Sequence, residues 1–246
     1  MYRQLDAQKI VDTTRMLQRR ISDRFPDSGL SKLSAEVVTL GHETVERMQW
    51  IQKPHVPLRI GIHLLLATIL AVFVALLASL RGSDLREVGA FIQALEAGLS
   101  AIFFIGASAL FLVSWESRIK RNRALKTLRD LRAMAHIVDM HQLTKSPEAA
   151  LAKSTDTTSS QKRTLSAFEL GKYLDYCSEL LSLIGKISAL YSQSLDDPVV
   201  LNAVDDIEDL TTELSQKIWQ KITLLDLLKS CRWTPWASGS IAKSHR

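Results

Sequence analysis

Two uninterrupted apolar runs constrain this chain more than any other feature of its sequence. The runs cover residues 60–80 and 97–115, and neither contains an Asp, Glu, Lys or Arg. A helix of about 20 residues rises about 30 Å, which is the thickness of the hydrocarbon core of a bilayer. Buried helices of a soluble protein are the alternative, but two such runs rarely occur together in one soluble domain. We therefore predict a membrane protein with two helical spans.

The basic residues near the two runs predict the orientation of the chain. They crowd the segment directly after the second run, whereas the connector between the runs holds only Arg81 and Arg86. Cytoplasmic flanks of membrane spans carry the excess of Lys and Arg, so we expect a multi-pass protein with both termini in the cytoplasm. The membrane-orienting basic cluster consists of Arg118, Lys120, Arg121, Arg123, Lys126, Arg129 and Arg132.

Charge is distributed unevenly over the two cytoplasmic segments that follow. Residues 116–145 hold eight basic and three acidic residues, whereas residues 167–229 hold five basic and eleven acidic ones. The basic segment fits the anionic headgroups of a lipid bilayer, which we expect as one partner. Membrane orientation already accounts for this cluster, and no basic patch with interleaved stacking aromatics occurs elsewhere in the sequence, so we expect no nucleic acid partner.

The apolar periodicity outside the two runs is helical, so we predict an all-α fold. The turn residues 26–29 interrupt the first helical stripe, Pro54 and Pro57 precede the first span, and no Gly or Pro occurs from Glu116 to Leu143. The predicted segments are an N-terminal helical hairpin (1–57), a transmembrane hairpin (58–115), a stalk helix that continues the second span (116–143), a flexible linker (144–166), a C-terminal helical hairpin (167–229) and a mobile tail (230–246).

The C-terminal hairpin has the clearest helical signals in the chain. Ser166 with Glu169 predicts a capping box, and Asp197 before Pro198 predicts the start of a second helix. Both helices carry apolar residues at spacings of three and four, as coiled coils do. Two helices alone leave part of their apolar faces uncovered. We therefore expect the stalk, the N-terminal hairpin or a second copy of the hairpin to cover these faces. We expect a homo-oligomer.

Candidate reactive side chains are few. His136, Asp139 and His141 are weak candidates for a metal site, because His141 lies on a different helix face from the other two; a polar helix end is the favoured interpretation. Cys177 and Cys231 lie on the predicted cytoplasmic side, where we expect free thiols. The carboxylates Asp205, Asp206, Glu208 and Asp209 share one arc of a helix and predict a solvated face.

His63 is the one candidate for a polar site within the membrane. It lies about one turn inside the first span, where a titratable side chain lines a pore or accepts a proton in some membrane proteins. The favoured alternative is that it reaches back to the interface or bonds a neighbouring helix. Gly98, Ser100, Gly106 and Ala107 make one side of the second span slim, which favours helix association in the membrane.

Motifs for catalysis or cofactor binding are not recognisable in the sequence. We find no phosphate-binding glycine loop, zinc-protease helix, serine elbow or Cys pair. We therefore expect a protein that is not an enzyme and that uses no cofactor or metal.

Two stretches of the sequence are familiar: LRAMAHIVDMHQLTKSPE, residues 131–148, and YLDYCSELLSLIGKISALYSQSLDDPVVLNAVDDIEDLTTELSQKIWQKI, residues 173–222. In these stretches the chain resembles a family of uncharacterised bacterial inner-membrane proteins with two spans and a helical cytoplasmic C-terminal hairpin. The resemblance implies a bacterial inner membrane and the same order of segments. It implies no activity and supplies no site residues.

These observations favour a non-enzymatic, membrane-anchored scaffold or signalling adaptor that self-associates and binds a cytoplasmic protein partner. The long helical faces and the missing reactive cluster motivate this hypothesis. The alternative is a subunit of an oligomeric membrane pore or a transport accessory protein, in which His63 and the serines of the second span surround the pathway. A third hypothesis, metal-dependent chemistry at His136, Asp139 and His141, predicts stoichiometric metal in the purified protein.

Overall fold

The computed structural model describes residues 4–52, 56–80, 88–145 and 165–233, and every regular element in these ranges is an α-helix. The prediction of an all-α fold is thereby confirmed. The predicted linker falls largely outside the described residues, and the tail does so from residue 234 onward. The six helices are α1 (Ala7–Arg24), α2 (Gly29–Gln52), α3 (Val56–Leu80), α4 (Val88–Leu143), α5 (Ala167–Ser192) and α6 (Pro198–Trp233).

Polar side chains fix the starts of three helices. Asp6 accepts hydrogen bonds from the backbone amides of Gln8 and Lys9 at the start of α1. The predicted capping box at α5 is present: the Ser166 hydroxyl accepts from the Glu169 amide at 3.2 Å, and the Glu169 carboxylate accepts from the Ser166 amide at 2.8 Å. Each contact satisfies an amide that the first helical turn leaves without an intrahelical partner.

The remaining boundaries also follow local sequence. Asp197 accepts from the amides of Val199 and Val200, which starts α6 at Pro198 as predicted. Between α1 and α2, Asp27 adopts a left-handed backbone conformation (φ 57°), which Asp tolerates in tight turns. Helix α6 extends to Trp233, four residues beyond the predicted end of the hairpin, because the first proline that stops it is Pro235.

Helix α4 contains both the second predicted span and the predicted stalk, as expected from the absence of a helix breaker after Trp115. The chain nevertheless divides into two compact units, residues 50–123 and the rest. The boundary within α4 therefore falls at residue 123, and the second part of the helix belongs to the same unit as α1, most of α2, α5 and α6.

The larger unit is a five-helix bundle in which both terminal hairpins and the second part of α4 share one core. Apolar residues at the predicted spacings of three and four are buried on both helices of the C-terminal hairpin: Leu170, Leu174, Cys177, Leu181, Ile184 and Tyr191 on α5, and Val200, Val204, Ile207, Leu214, Ile218 and Leu225 on α6. The C-terminal hairpin packs on its own chain, because α5 contacts α1, and α6 contacts α4. Helix α5 is buried on more than one face, and its largest fully buried side chains are Leu174, Leu180, Leu181, Ile184, Ile187, Leu190 and Tyr191.

Specific contacts set the register of the bundle. Arg20 of α1 pairs with Glu179 of α5 at 2.5 Å, and the Phe25 ring meets the Tyr173 ring edge-on at 5.4 Å. The Tyr191 hydroxyl of α5 donates a hydrogen bond to the Thr44 hydroxyl of α2 at 3.5 Å. Gly41 of α2 leaves room for the Ile187 side chain of α5. Helices of the same chain cover the inner apolar face of the C-terminal hairpin, so the burial of that face does not require a second copy.

The smaller unit contains the apolar segments. Within the described residues, one helical stretch is long and apolar enough to cross a bilayer, Gly98–Leu143, and no part of its apolar window is buried. This stretch contains most of the second predicted span. Helix α3 covers the first predicted span and exposes Ile60, Leu64, Leu66, Leu70, Phe73 and Val74. The structure thus supports one candidate span by length and composition, and the second stays a prediction.

Candidate functional site

The three candidate metal ligands of α4 do not come together. His136 is exposed, and Asp139 accepts a hydrogen bond from the Gln142 side chain at 2.5 Å. The His141 ring packs on Gly29, where an added Cβ would overlap Cε1 of the ring. Among the described residues, no group of three His, Cys, Asp or Glu side chains has the geometry to hold a metal ion. His141 therefore serves as a packing residue at the turn between α1 and α2.

The end of α4 is instead held by a polar contact with α6. Lys221 donates one hydrogen bond to the backbone oxygen of Gln142 at 3.0 Å and another to its side-chain oxygen at 2.6 Å. Gln142 is 1% exposed. A cation at this position is stabilised by the negative end of the helix dipole. It also donates to a carbonyl that has no intrahelical hydrogen-bond donor in the last turn. Apolar periodicity carries no signal for this contact between distant segments.

Cys177 is buried in the core, so its thiol is poorly suited to nucleophilic chemistry. Removal from water raises the pKa of Cys177 to about 12, and the positive charge of Lys221 opposes this rise only in part. Burial also raises the pKa of Tyr173, and the neighbouring Cys177 adds to the rise. A thiol nucleophile requires the thiolate, which this environment disfavours. The side chain of Cys231 lies outside the described residues.

The basic cluster is divided between several kinds of contact. In the smaller unit, Lys120 pairs with Glu116 at 2.7 Å, and the Arg123 guanidinium lies 4.2 Å from the centre of the Trp50 ring. In the bundle, Arg132 of α4 pairs with Asp206 of α6 at 3.5 Å. Arg118, Lys126 and Arg129 are exposed. Part of the cluster thus connects helices, and the exposed part is accessible to anionic groups.

Two hydroxyl groups of the apolar helices bond to their own backbone, and the histidine of α3 is exposed. His63 is exposed on α3. Thr68 donates to the oxygen of Leu64 at 2.9 Å, and Ser108 donates to the oxygen of Phe104 at 2.7 Å. This pattern satisfies hydroxyl groups without a partner helix, as a lipid environment requires. Gly106 has open space around it, so the slim side of α4 is not covered within its unit.

A polar groove lies between α5 and α6. Its volume is about 410 Å³. The α5 wall consists of Ser178, Ser182, Gly185 and Lys186. The α6 wall consists of Glu208, Thr211, Thr212, Ser215, Gln216 and Trp219. Most of these side chains are small or hydroxylated, and they recur at spacings of three and four on both helices. Small residues that recur beside the apolar positions of both helices are the sequence pattern that could have predicted this groove.

The carboxylates of α6 lie beside this groove. Asp205, Asp206, Glu208 and Asp209 are all exposed, as the amphipathic pattern predicts. Asp206 is used in the ion pair with Arg132, and Glu208 lines the groove. Asp205 and Asp209 lie one helical turn apart outside the groove lining. They give this side of α6 a negative surface.

Comparison with known proteins yields no relative. No family model, no curated protein and no solved structure matches this chain. The resemblance to bacterial two-span inner-membrane proteins therefore stays a prediction.

Proposed function

We propose that the chain is a membrane-anchored helical adaptor that is not an enzyme, self-associates and presents its five-helix bundle to a cytoplasmic protein partner. One observation carries the proposal: α4 contains both the unburied apolar window and the buried bundle residues Leu128, Leu131, Ala135 and Val138. A single helix with these two parts can anchor a folded bundle to a bilayer without a separate linker.

The proposed topology has two spans, α3 and the first part of α4. The exposed apolar side chains of α3 support the first span, because isolated surface leucines and phenylalanines are common but a continuous set along one helix is not. The exposed Arg118, Lys126 and Arg129 support a cytoplasmic location for both termini, by the excess of positive charge on that side. The resemblance to bacterial inner-membrane proteins favours the cytoplasmic membrane as the location in this proposal.

The partner surface of the proposal is the acidic side of α6. Asp205 and Asp209 are exposed and stand one turn apart, so a partner that presents Lys or Arg at similar spacing gains two charge-assisted contacts. We therefore expect a cytoplasmic protein with a basic patch. Surface charge of this kind speeds association and selects the partner more than it adds affinity.

Three measurements on the full chain test the proposal. Alkaline extraction of membranes should leave the protein in the bilayer fraction, and tags on both termini should resist protease added from outside the cell. Crosslinking in cells followed by affinity capture should recover a partner that is lost with the double variant D205K/D209K. The matched control is D12K/E36K, which reverses two exposed carboxylates on α1 and α2.

Extraction of the protein into the soluble fraction would refute the anchor. Capture that is equal for both double variants would refute the acidic partner surface. Solute flux through liposomes that requires His63 would favour the pore over the adaptor.

A further inference from the structure

The register between α5 and α6 places the charged side chains of the groove at one end and its aromatic side chain at the other. An added Cβ at Gly185 would lie 2.9 Å from Thr211, and one at Gly171 would lie 3.7 Å from Leu225. The helices are therefore antiparallel with a constant register along the groove. Lys186 and Glu208 then differ by about two residues in level, which corresponds to ~3 Å along the helix axis.

The other end of the groove carries an exposed aromatic side chain. Trp219 is 57% exposed, and by the same register it lies level with Ser178 on the opposite wall. A large ring left in water beside small side chains is typical of an interface anchor, because Trp is enriched among residues that dominate binding energy. The small residue Ser178 leaves space for such a ring on this part of the wall, whereas the Ser182 hydroxyl accepts a hydrogen bond from Lys186 at 2.5 Å.

We propose that this groove is the surface through which two copies of the chain pair, with a two-fold axis along the groove so that α5 of each copy faces α6 of the other. This inference deepens the self-association in the proposed function and rests on it. A closed two-fold dimer uses the same patch on both chains, so each contact occurs twice.

The arrangement of charge favours a second copy over another occupant. The groove lining holds one cation, Lys186, and one carboxylate, Glu208. With the two-fold axis along the groove, Lys186 of each copy lies at the level of Glu208 of the other, so the dimer contains two such charge pairs. A ligand of a single charge sign would pair with one of them and leave the other opposed by a like charge. In the same arrangement, Trp219 of each copy meets the small side chains of the other α5.

Charge reversal in the full chain tests this pairing. The readout is the dissociation constant of the dimer in mild detergent, together with crosslinking of a Ser215→Cys variant by a short bis-maleimide, in a Cys231→Ser background. We expect K186E and E208K each to weaken the dimer about tenfold, because each places like charges opposite one another twice. The double variant K186E/E208K should restore the dimer, which a variant that merely misfolds cannot do.

Three further variants complete the test. Trp219→Ala should weaken the dimer about tenfold or more, as expected for an interface anchor. Lys217→Glu reverses an exposed charge on α6 outside the groove lining and should leave the dimer unchanged. A cysteine at the exposed Thr39 on α2 should give little crosslinked dimer compared with the cysteine at Ser215.

The proposal is overturned if the protein is monomeric at all concentrations, or if it dimerises with the same constant in K186E, E208K and Trp219→Ala. A dimer that survives these changes would be held by other surfaces, such as the apolar helices. Alkaline membrane extraction of the same variants separates the two levels of inference. Retention in the membrane with loss of pairing leaves the anchor intact, whereas release from the membrane refutes the proposed function itself.

Discussion

Lys221 of α6 donates two hydrogen bonds to Gln142 at the end of α4, one to the backbone oxygen and one to the side-chain oxygen. These residues are 79 positions apart in the chain. Because Gln142 is buried, water cannot replace the lysine without opening the contact between the two helices. The pair therefore fastens the last turn of α4 to the C-terminal hairpin.

Replacing Lys221 by Met should destabilise the bundle by about 1–3 kcal/mol, since it leaves two buried oxygens of Gln142 without their charged donor. Chemical unfolding of the full chain in mild detergent, followed by circular dichroism, measures the effect. The control Lys217→Met changes an exposed lysine one turn earlier and should stay within about 0.5 kcal/mol of the parent. Equal stability of the two variants would show that the contact contributes nothing.

Gly185 provides a test of close helix packing between α5 and α6. In a helix interior, Gly185→Ala gains about 1 kcal/mol from helix propensity, but the new methyl group would lie 2.9 Å from the Thr211 hydroxyl, and overpacking costs about 1–3 kcal/mol. The Thr211 hydroxyl donates to the oxygen of Glu208, which restricts its rotation. We expect Gly185→Ala to be destabilising in the parent chain and neutral or stabilising in a Thr211→Ala background.

Thermal unfolding of the four chains in this double-mutant cycle measures the coupling between positions 185 and 211. A gain in stability on Gly185→Ala in both backgrounds would mean that the two helices separate easily at this point.

Alkaline pH should destabilise the bundle through Cys177 and Tyr173. Burial raises both pKa values, so above about pH 9 the unfolded chain releases protons that the folded chain retains. The free energy of unfolding therefore falls as pH rises, by up to about 1.4 kcal/mol per pH unit for each group. The decrease from Cys177 should level off as pH passes its folded value of about 12.

Unfolding curves from pH 7 to 11 measure this slope. The variant C177A/Y173F lacks both groups and should show a shallower decrease, whatever its stability at neutral pH. An equal slope in both chains would assign the alkaline effect to other residues.

The same environment predicts slow chemistry at the Cys177 thiol. In a Cys231→Ser background, a maleimide at pH 7.5 should leave the folded protein unmodified over the time in which a free thiol reacts completely, because the thiolate is both rare and buried. Addition of denaturant should give full labelling, detected by the mass of the intact protein. Rapid labelling without denaturant would show that α5 leaves the core on the timescale of the experiment.

Local sequence was sufficient to predict much of the helical architecture. The capping box at Ser166, the helix start at Pro198 and the turn before Gly29 depend on residues within one or two turns of one another, and all three are present. Apolar spacing likewise identified buried positions such as Leu174 on α5 and Ile207 on α6. Such patterns report which face of a helix is apolar, and this information is local.

The pairing of helices was not predictable from the same patterns. Periodicity leaves open whether the C-terminal hairpin is covered by its own chain or by a second copy, because an apolar face is suited to either. The contacts that decide this join distant segments, such as Arg20 with Glu179 and Gly29 with His141. For the candidate site, His141 illustrates the same limit: residue type suggested a metal ligand, but the packing on Gly29 depends on a neighbour more than 100 positions away in the sequence.

The central position of α5 has a consequence for biosynthesis. Helices α1 and α2 emerge from the ribosome long before α5, because the apolar residues 60–115 and the rest of α4 are synthesised after α2 and before α5. The early hairpin must therefore wait, with its inner face uncovered, until residue 192 has been synthesised. Synthesis proceeds at about 5–20 residues per second, so this interval lasts roughly 10–30 seconds, during which the apolar face of the early hairpin lacks its partner helix.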